Sequence, residues 1–138
     1  MIHYLHTSVH LHYAVRKERK NNIPIFYGDA SHITILKHAN INMAKFLAIG
    51  INDPIATRRI IKVTRKLNSQ TDIIVRTPYS NEVKKLFELG ASQVISEEFE
   101  TSIEIYTRGL RDYLISEDKI NKFTSELRKD CYDFFKCT

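Results

Sequence analysis

No glycine precedes Gly28, no acidic residue precedes Glu18, and no apolar run extends beyond a handful of residues. Each absence excludes something. A turn that lets the backbone close on a phosphate group needs glycine, so the stretch before Gly28 carries no such turn. A membrane-spanning helix needs about 20 apolar residues, and IPIFY, KFLAIG and DIIV are each cut short by charge or a turn residue. Two cysteines, Cys131 and Cys137, do not make the disulfide framework of a small secreted domain. The opening MIHYLHTSVHLHYAVRKERK has neither a basic cluster ahead of an apolar core nor a small-residue cleavage site, so it does not read as a secretory signal. Reduced thiols and a cytoplasmic location are the expectations.

What is present suits one domain. A chain of 138 residues, 43% hydrophobic, can bury one continuous core but not two. The net charge of +5 could steer it toward phosphates or acidic headgroups. Its basic residues, however, alternate with acids in stretches such as NEVKKLFE and SEDKINKF, the pattern of a solvated face.

From Ile23 onward, short β-branched runs alternate with amphipathic stretches, which predicts an α/β fold with a parallel sheet flanked by helices. Ile23 to Tyr27 reads as a strand ending at Gly28-Asp29; Ser31 can cap a helix with Ile33, Leu36 and Ala39 facing inward. Ala44 to Ile49, apolar nearly throughout, predicts a strand buried on both faces. Asp53 is a good N-cap and Pro54 suits the first turn of a helix striped by Ala56, Ile60, Val63 and Leu67. Asp72 to Val75 is the next strand. A short helix follows, facing Val83, Leu86 and Phe87 inward and ending at Gly90, and then a brief strand, Gln93 to Ile95. Phe99, Ile103, Tyr106, Leu110 and Leu114 mark one helix, with a possible bend at Gly109. Ile120, Phe123, Leu127, Cys131 and Phe134 share a face of another. The expected divisions are an atypical segment 1–22, a core 23–115 and a C-terminal helix 116–138.

The strings IPIFYGDAS, INDPIATRRIIKVTRKLN, DIIVRT and FELGASQVISEEFETS, in this order and at these spacings, resemble the regulatory domain called RCK, KTN or TrkA-N. The version at the C-terminus of Kef-type potassium efflux antiporters is the most similar, from about Tyr13 to Leu114. The resemblance implies an incomplete Rossmann-like domain that senses NAD(H), adenine nucleotides or, in the Kef branch, glutathione and its adducts. It also implies a cofactor site at the C-terminal ends of the strands. By position, Asp29, Ala30 and Ser31 match the turn against the adenine, and Asn52 and Asp53 the rim of the same crevice. Arg76 matches a basic position that can meet an anion. A homodimer through helix 99–114, and a membrane transporter subunit or fused membrane domain as partner, are implied as well.

The departure from that family pattern is the missing first βα unit with its G-x-G-x-x-G turn, and the missing carboxylate for the ribose hydroxyls. Tyr13 to Asn22 still reads as the helix after the second strand, with MIHYLHTSVHLH in that strand's place. The chain thus reads as N-terminally truncated, impaired in nucleotide binding, and with an uncovered sheet edge.

Several residues have ordinary readings. Asp29 and Asp53 can be turn and helix caps, Arg76 can pair with Glu97 or Glu98, and Cys131 can be core packing. His3, His6, His10 and His12 have no nearby acid or cysteine to complete a metal shell, so no metal is expected; His32 and His38 read as surface. No nucleophile has a base beside it, so catalysis is not expected. The alternative function is a ligand-free interaction module whose face of Arg58, Arg59, Lys62, Arg65 and Lys66 binds nucleic acid or acidic lipid.

Overall fold

The β-branched runs become three parallel strands. In the computed structural model, which describes residues 28–113 and 115–137, they are β1 (Phe46–Ile49), β2 (Asp72–Thr77) and β3 (Gln93–Ser96), in the order β1-β2-β3. Ile49 lies opposite Val75, and Arg76 opposite Ile95. Among the described residues the α-helices are α1 (Ile33–His38), α2 (Pro54–Leu67), α3 (Val83–Glu88), α4 (Glu97–Asp112) and α5 (Glu117–Cys137). This is the predicted incomplete Rossmann-like sheet with a C-terminal helical extension. The expected first strand, Ile23 to Tyr27, and the N-terminal histidines fall outside the described residues. No helix among the described residues is long and apolar enough to cross a membrane.

Alternation along each strand decides where the core sits. Leu47, Ile49, Ile73, Val75 and Val94 point to one face and pack with Leu36 of α1, Ile60 and Ile61 of α2, and Val83 and Leu86 of α3. The opposite face carries Phe46, Ala48, Ile74 and Ile95. Phe46 remains 51% exposed and Ile95 42%, so the expected burial of β1 on both faces is not met. Apolar composition alone could not distinguish one covered face from two, and no helix among the described residues lies on this one.

Local chemistry sets the helix ends. Asp53 caps α2 by accepting from the amides of Ile55 (2.9 Å) and Ala56 (3.1 Å), with Pro54 at the first position. Ser96 caps α4 through the Phe99 amide, and Glu97, Glu98 and Glu100 complement the dipole of its first turn. Gly90 follows α3 at φ +105°, a conformation that costs other residues a Cβ clash. Ser31, in contrast, does not cap α1. Its amide is taken by Asp29, His32 occupies the cap position without a side-chain bond, and Ile33 is exposed rather than inward.

The last two helices are turned relative to their apolar stripes. In α4, Ile103 and Thr107 are buried while Tyr106 is exposed, and the helix runs through Gly109 unbroken. In α5, Ile120 and Thr124 are buried, and Tyr132 and Phe135 pack on the core, whereas Cys131 is half-buried and Phe134 is exposed. Phe99 meets Tyr132 and Phe135 edge-on, at 5.3 and 5.8 Å. The reason is a polar anchor. Tyr132 Oη accepts from the Ser96 amide (3.2 Å) and donates to Glu100 (3.1 Å). Burial raises this phenol to about 12. Once its hydroxyl is satisfied, a tyrosine can face inward where a purely apolar count places phenylalanine.

Candidate functional site at the C-terminal ends of the strands

The loops after β1 and β2 leave the sheet on the side where parallel strands end, and the turn at Asp29 lies beside the first of them. This turn is closed by Asp29, whose Oδ1 accepts from the Ser31 amide at 2.8 Å. That bond holds the carboxylate below its usual range, with His32 and Arg59 adding favourable charge. Asp29 is therefore ionised and solvent-facing, with His32 Nε2 3.5 Å away. Ala30 and Ser31 are buried and the Ser31 amide is already taken, so Asp29 is the exposed group of the turn.

Gly50 to Asp53 forms the loop after β1. Ala30, Gly50 and Ile51 border a shallow apolar groove along β1. Asn52 and Arg76 line an adjoining shallow cleft that reaches Thr57, Thr77 and Glu82. Asp53 is spent on the α2 cap, so its structural reading holds and only its exposed flank remains available.

Arg76 is the hub. It sits at the end of the central strand and on its less covered face, opposite Ile95. One terminal nitrogen pairs with Glu97, in the first turn of α4. The other donates to Gly50 O (2.9 Å) and to Asn52 Oδ1. Between Glu97 and Glu98 as possible partners, the structure selects Glu97. Glu98 turns instead to Ser80, accepting from its hydroxyl (2.8 Å) and amide (3.2 Å), which keep this carboxyl below its usual range.

The fold brings together two residues that sequence reasoning named, Asn52 and Arg76, and sets Ala30 beside Gly50 and Ile51, which it had not named. That reasoning missed the Gly50 carbonyl as an acceptor and the Tyr132 clasp on Ser96 and Glu100. Neither leaves a mark at short sequence range. The basic face is also reduced. Arg58 forms a bidentate pair with Glu82, with contacts of 2.7 to 3.2 Å. Arg65 is folded over carbonyls at the opposite end of the sheet. Arg59, Lys62 and Lys66 remain exposed.

The family model described as the TrkA-N domain matches residues 11–97. A protein of Alkalimonas amylolytica named as a K(+) efflux antiporter, KefB, is 25% identical over 122 residues; these make up 88% of this chain but 18% of that protein. The chain therefore spans less than a fifth of that relative. The TrkA-N domain of the inner membrane protein YbaL from Escherichia coli superposes with a TM-score of 0.68 at 26% identity, covering 82% of this chain and 78% of that one. A Kef CTD of Shewanella denitrificans in AMP-bound form gives a TM-score of 0.73 at 17% identity, covering 97% and 94%, a likeness of fold.

Proposed function

Because the chain belongs to the TrkA-N domain family, we propose that it is a regulatory, non-catalytic module sensing an adenine nucleotide or NAD(H) for a potassium and proton transport system. Its nucleotide binding is impaired, because the glycine turn that would hold a pyrophosphate has no counterpart in the sequence. The observation that carries this reading is the Arg76–Asn52 bond beyond the end of β1, with Ala30 of the Asp29 turn bordering the groove at Gly50 and Ile51, on the side where open α/β sheets bind ligands. Asp29, Ala30, Ser31, Asn52, Asp53 and Arg76 form the binding set. Supporting the transport role are the KefB relative and the Kef and YbaL likenesses. The reading divides the chain into an atypical segment 1–22, a TrkA-N core 23–115 and a terminal helix 116–138, acting at the cytoplasmic face of a membrane beside a transporter subunit or fused membrane domain.

Addition of AMP is expected to shift the backbone amide resonances of 29–31, 50–53 and 76 while leaving those of α5 beyond Asn121 in place. Shifts confined to Arg59, Lys62 and Lys66, or steep salt-dependent capture of polyanions without a nucleotide response, favour the basic-face alternative instead.

The signal passes through helix 99–114 to a second copy. Ile105, 68% exposed, and Tyr106 and Tyr113 beside it form the surface on which such a dimer closes. Light scattering at micromolar concentration is expected to give twice the chain mass. A strictly monomeric species would count against the dimer.

A further inference from the structure

We infer that Glu97 sets the specificity of this crevice, turning it toward adenine ligands with little or no phosphate. The inference rests on the adenine-site reading above and adds to it a choice among adenosine, AMP, ADP and NADH.

Arg76 bridges the loop after β1 and the first turn of α4. A free guanidinium is a ready phosphate fork. Here it is already spent. One terminal nitrogen faces Glu97, the other is shared by Gly50 O and Asn52 Oδ1, and Nε is buried without a hydrogen-bond partner among the described residues. An incoming phosphate gains Arg76 only by displacing Glu97, which exchanges one anion for another. Glu97 also holds a favourable place at the N-terminus of α4, where the helix dipole stabilises a carboxylate.

Arg58 is likewise engaged, bidentate with Glu82, while Arg59 stays exposed near the ionised Asp29. Asp53 caps the helix after β1, and Glu97 and Glu98 open the helix after β3. Like charges repel at a surface, so each phosphate charge brought beside these carboxylates weakens binding. An adenine amine or a ribose hydroxyl, in contrast, is a neutral donor for which Asp29 and the loop carbonyls are acceptors. The groove beside Ala30 and Gly50 is lined by Leu47, Ile49, Ile51 and Ile60, an apolar surface that suits the face of a base.

The test is calorimetric titration of the full chain and of Glu97→Gln with adenosine, AMP, ADP and NADH at fixed salt. For the unaltered chain, adenosine is expected to bind at least as tightly as AMP, and ADP and NADH about tenfold more weakly; Glu97→Gln strengthens AMP by about tenfold and moves adenosine by no more than about twofold. The inference is overturned if the unaltered chain prefers AMP or NADH to adenosine by about tenfold, or if a folded Glu97→Gln leaves the AMP-to-adenosine ratio unchanged. Should Glu97→Gln fail to fold, the ratio in the unaltered chain decides alone. Absence of binding by all four ligands to both proteins would sink the adenine reading and this inference with it, an outcome distinct from binding with the wrong preference.

Discussion

Replacing Ile73 with alanine is expected to lower the unfolding free energy by about 4 kcal/mol, measured as a fall in the urea midpoint with an unchanged slope. Ile73 is fully buried at the centre of the sheet, opposite Leu47 and inside the cluster that joins β1, β2 and β3 to α1, α2 and α3. Truncation removes three carbons and leaves a cavity that close-packed neighbours cannot collapse to fill. Ile95→Ala is the informative comparison, because Ile95 lies on the other face and is 42% exposed. Its cost is expected to stay below about 1 kcal/mol. Equal costs at the two positions would show that both faces of the sheet are covered in solution.

Arg65→Met should lower stability by about 3 kcal/mol even though the charge lies near the surface. The guanidinium donates to Gly90 O (2.7 Å), Thr71 O (2.6 Å) and Ser69 O (2.9 Å), and reaches Ser92 Oγ at 3.2 Å. These acceptors belong to the turns that enter β2 and β3, so one side chain of α2 holds both strand starts in place. Methionine keeps the stem and removes every donor, isolating the polar contribution. Arg65→Lys is expected to recover less than half of the loss, because an ammonium cannot fork to three carbonyls fixed in different directions. A thermal scan reads this as a drop of about 10 °C for Arg65→Met. Unchanged melting would mean that the three carbonyls are satisfied by water at no cost.

Arg65 also shows what a sequence can and cannot tell. Read along α2, it was one of five cations on a solvated or polyanion-binding face. Folding brings Gly90 and Ser92 to it across more than twenty residues, and the cation becomes an internal staple. Arg76, expected just past a strand ending at Val75, lies inside β2, which runs to Thr77, on the less covered face of the sheet. That Asn52 and Gly50 would share its second nitrogen depended on loop geometry invisible to spacing. The Asp53-Pro54 start and the Gly90 stop were legible because a cap and a positive φ are decided within a few residues. The orientation of α5 was not. It hangs on the Tyr132 hydroxyl meeting Ser96 and Glu100, a contact that an apolar stripe of Phe123, Cys131 and Phe134 cannot anticipate.

The proposed function requires an adenine site that works without a glycine-rich diphosphate turn, a motif these 138 residues do not contain. Isothermal titration of the full chain with NADH and AMP tests it most directly. The account predicts that NADH binds no more tightly than AMP, with dissociation constants of about ten micromolar or weaker for both. Submicromolar binding of NADH would show an intact anion pocket and contradict it.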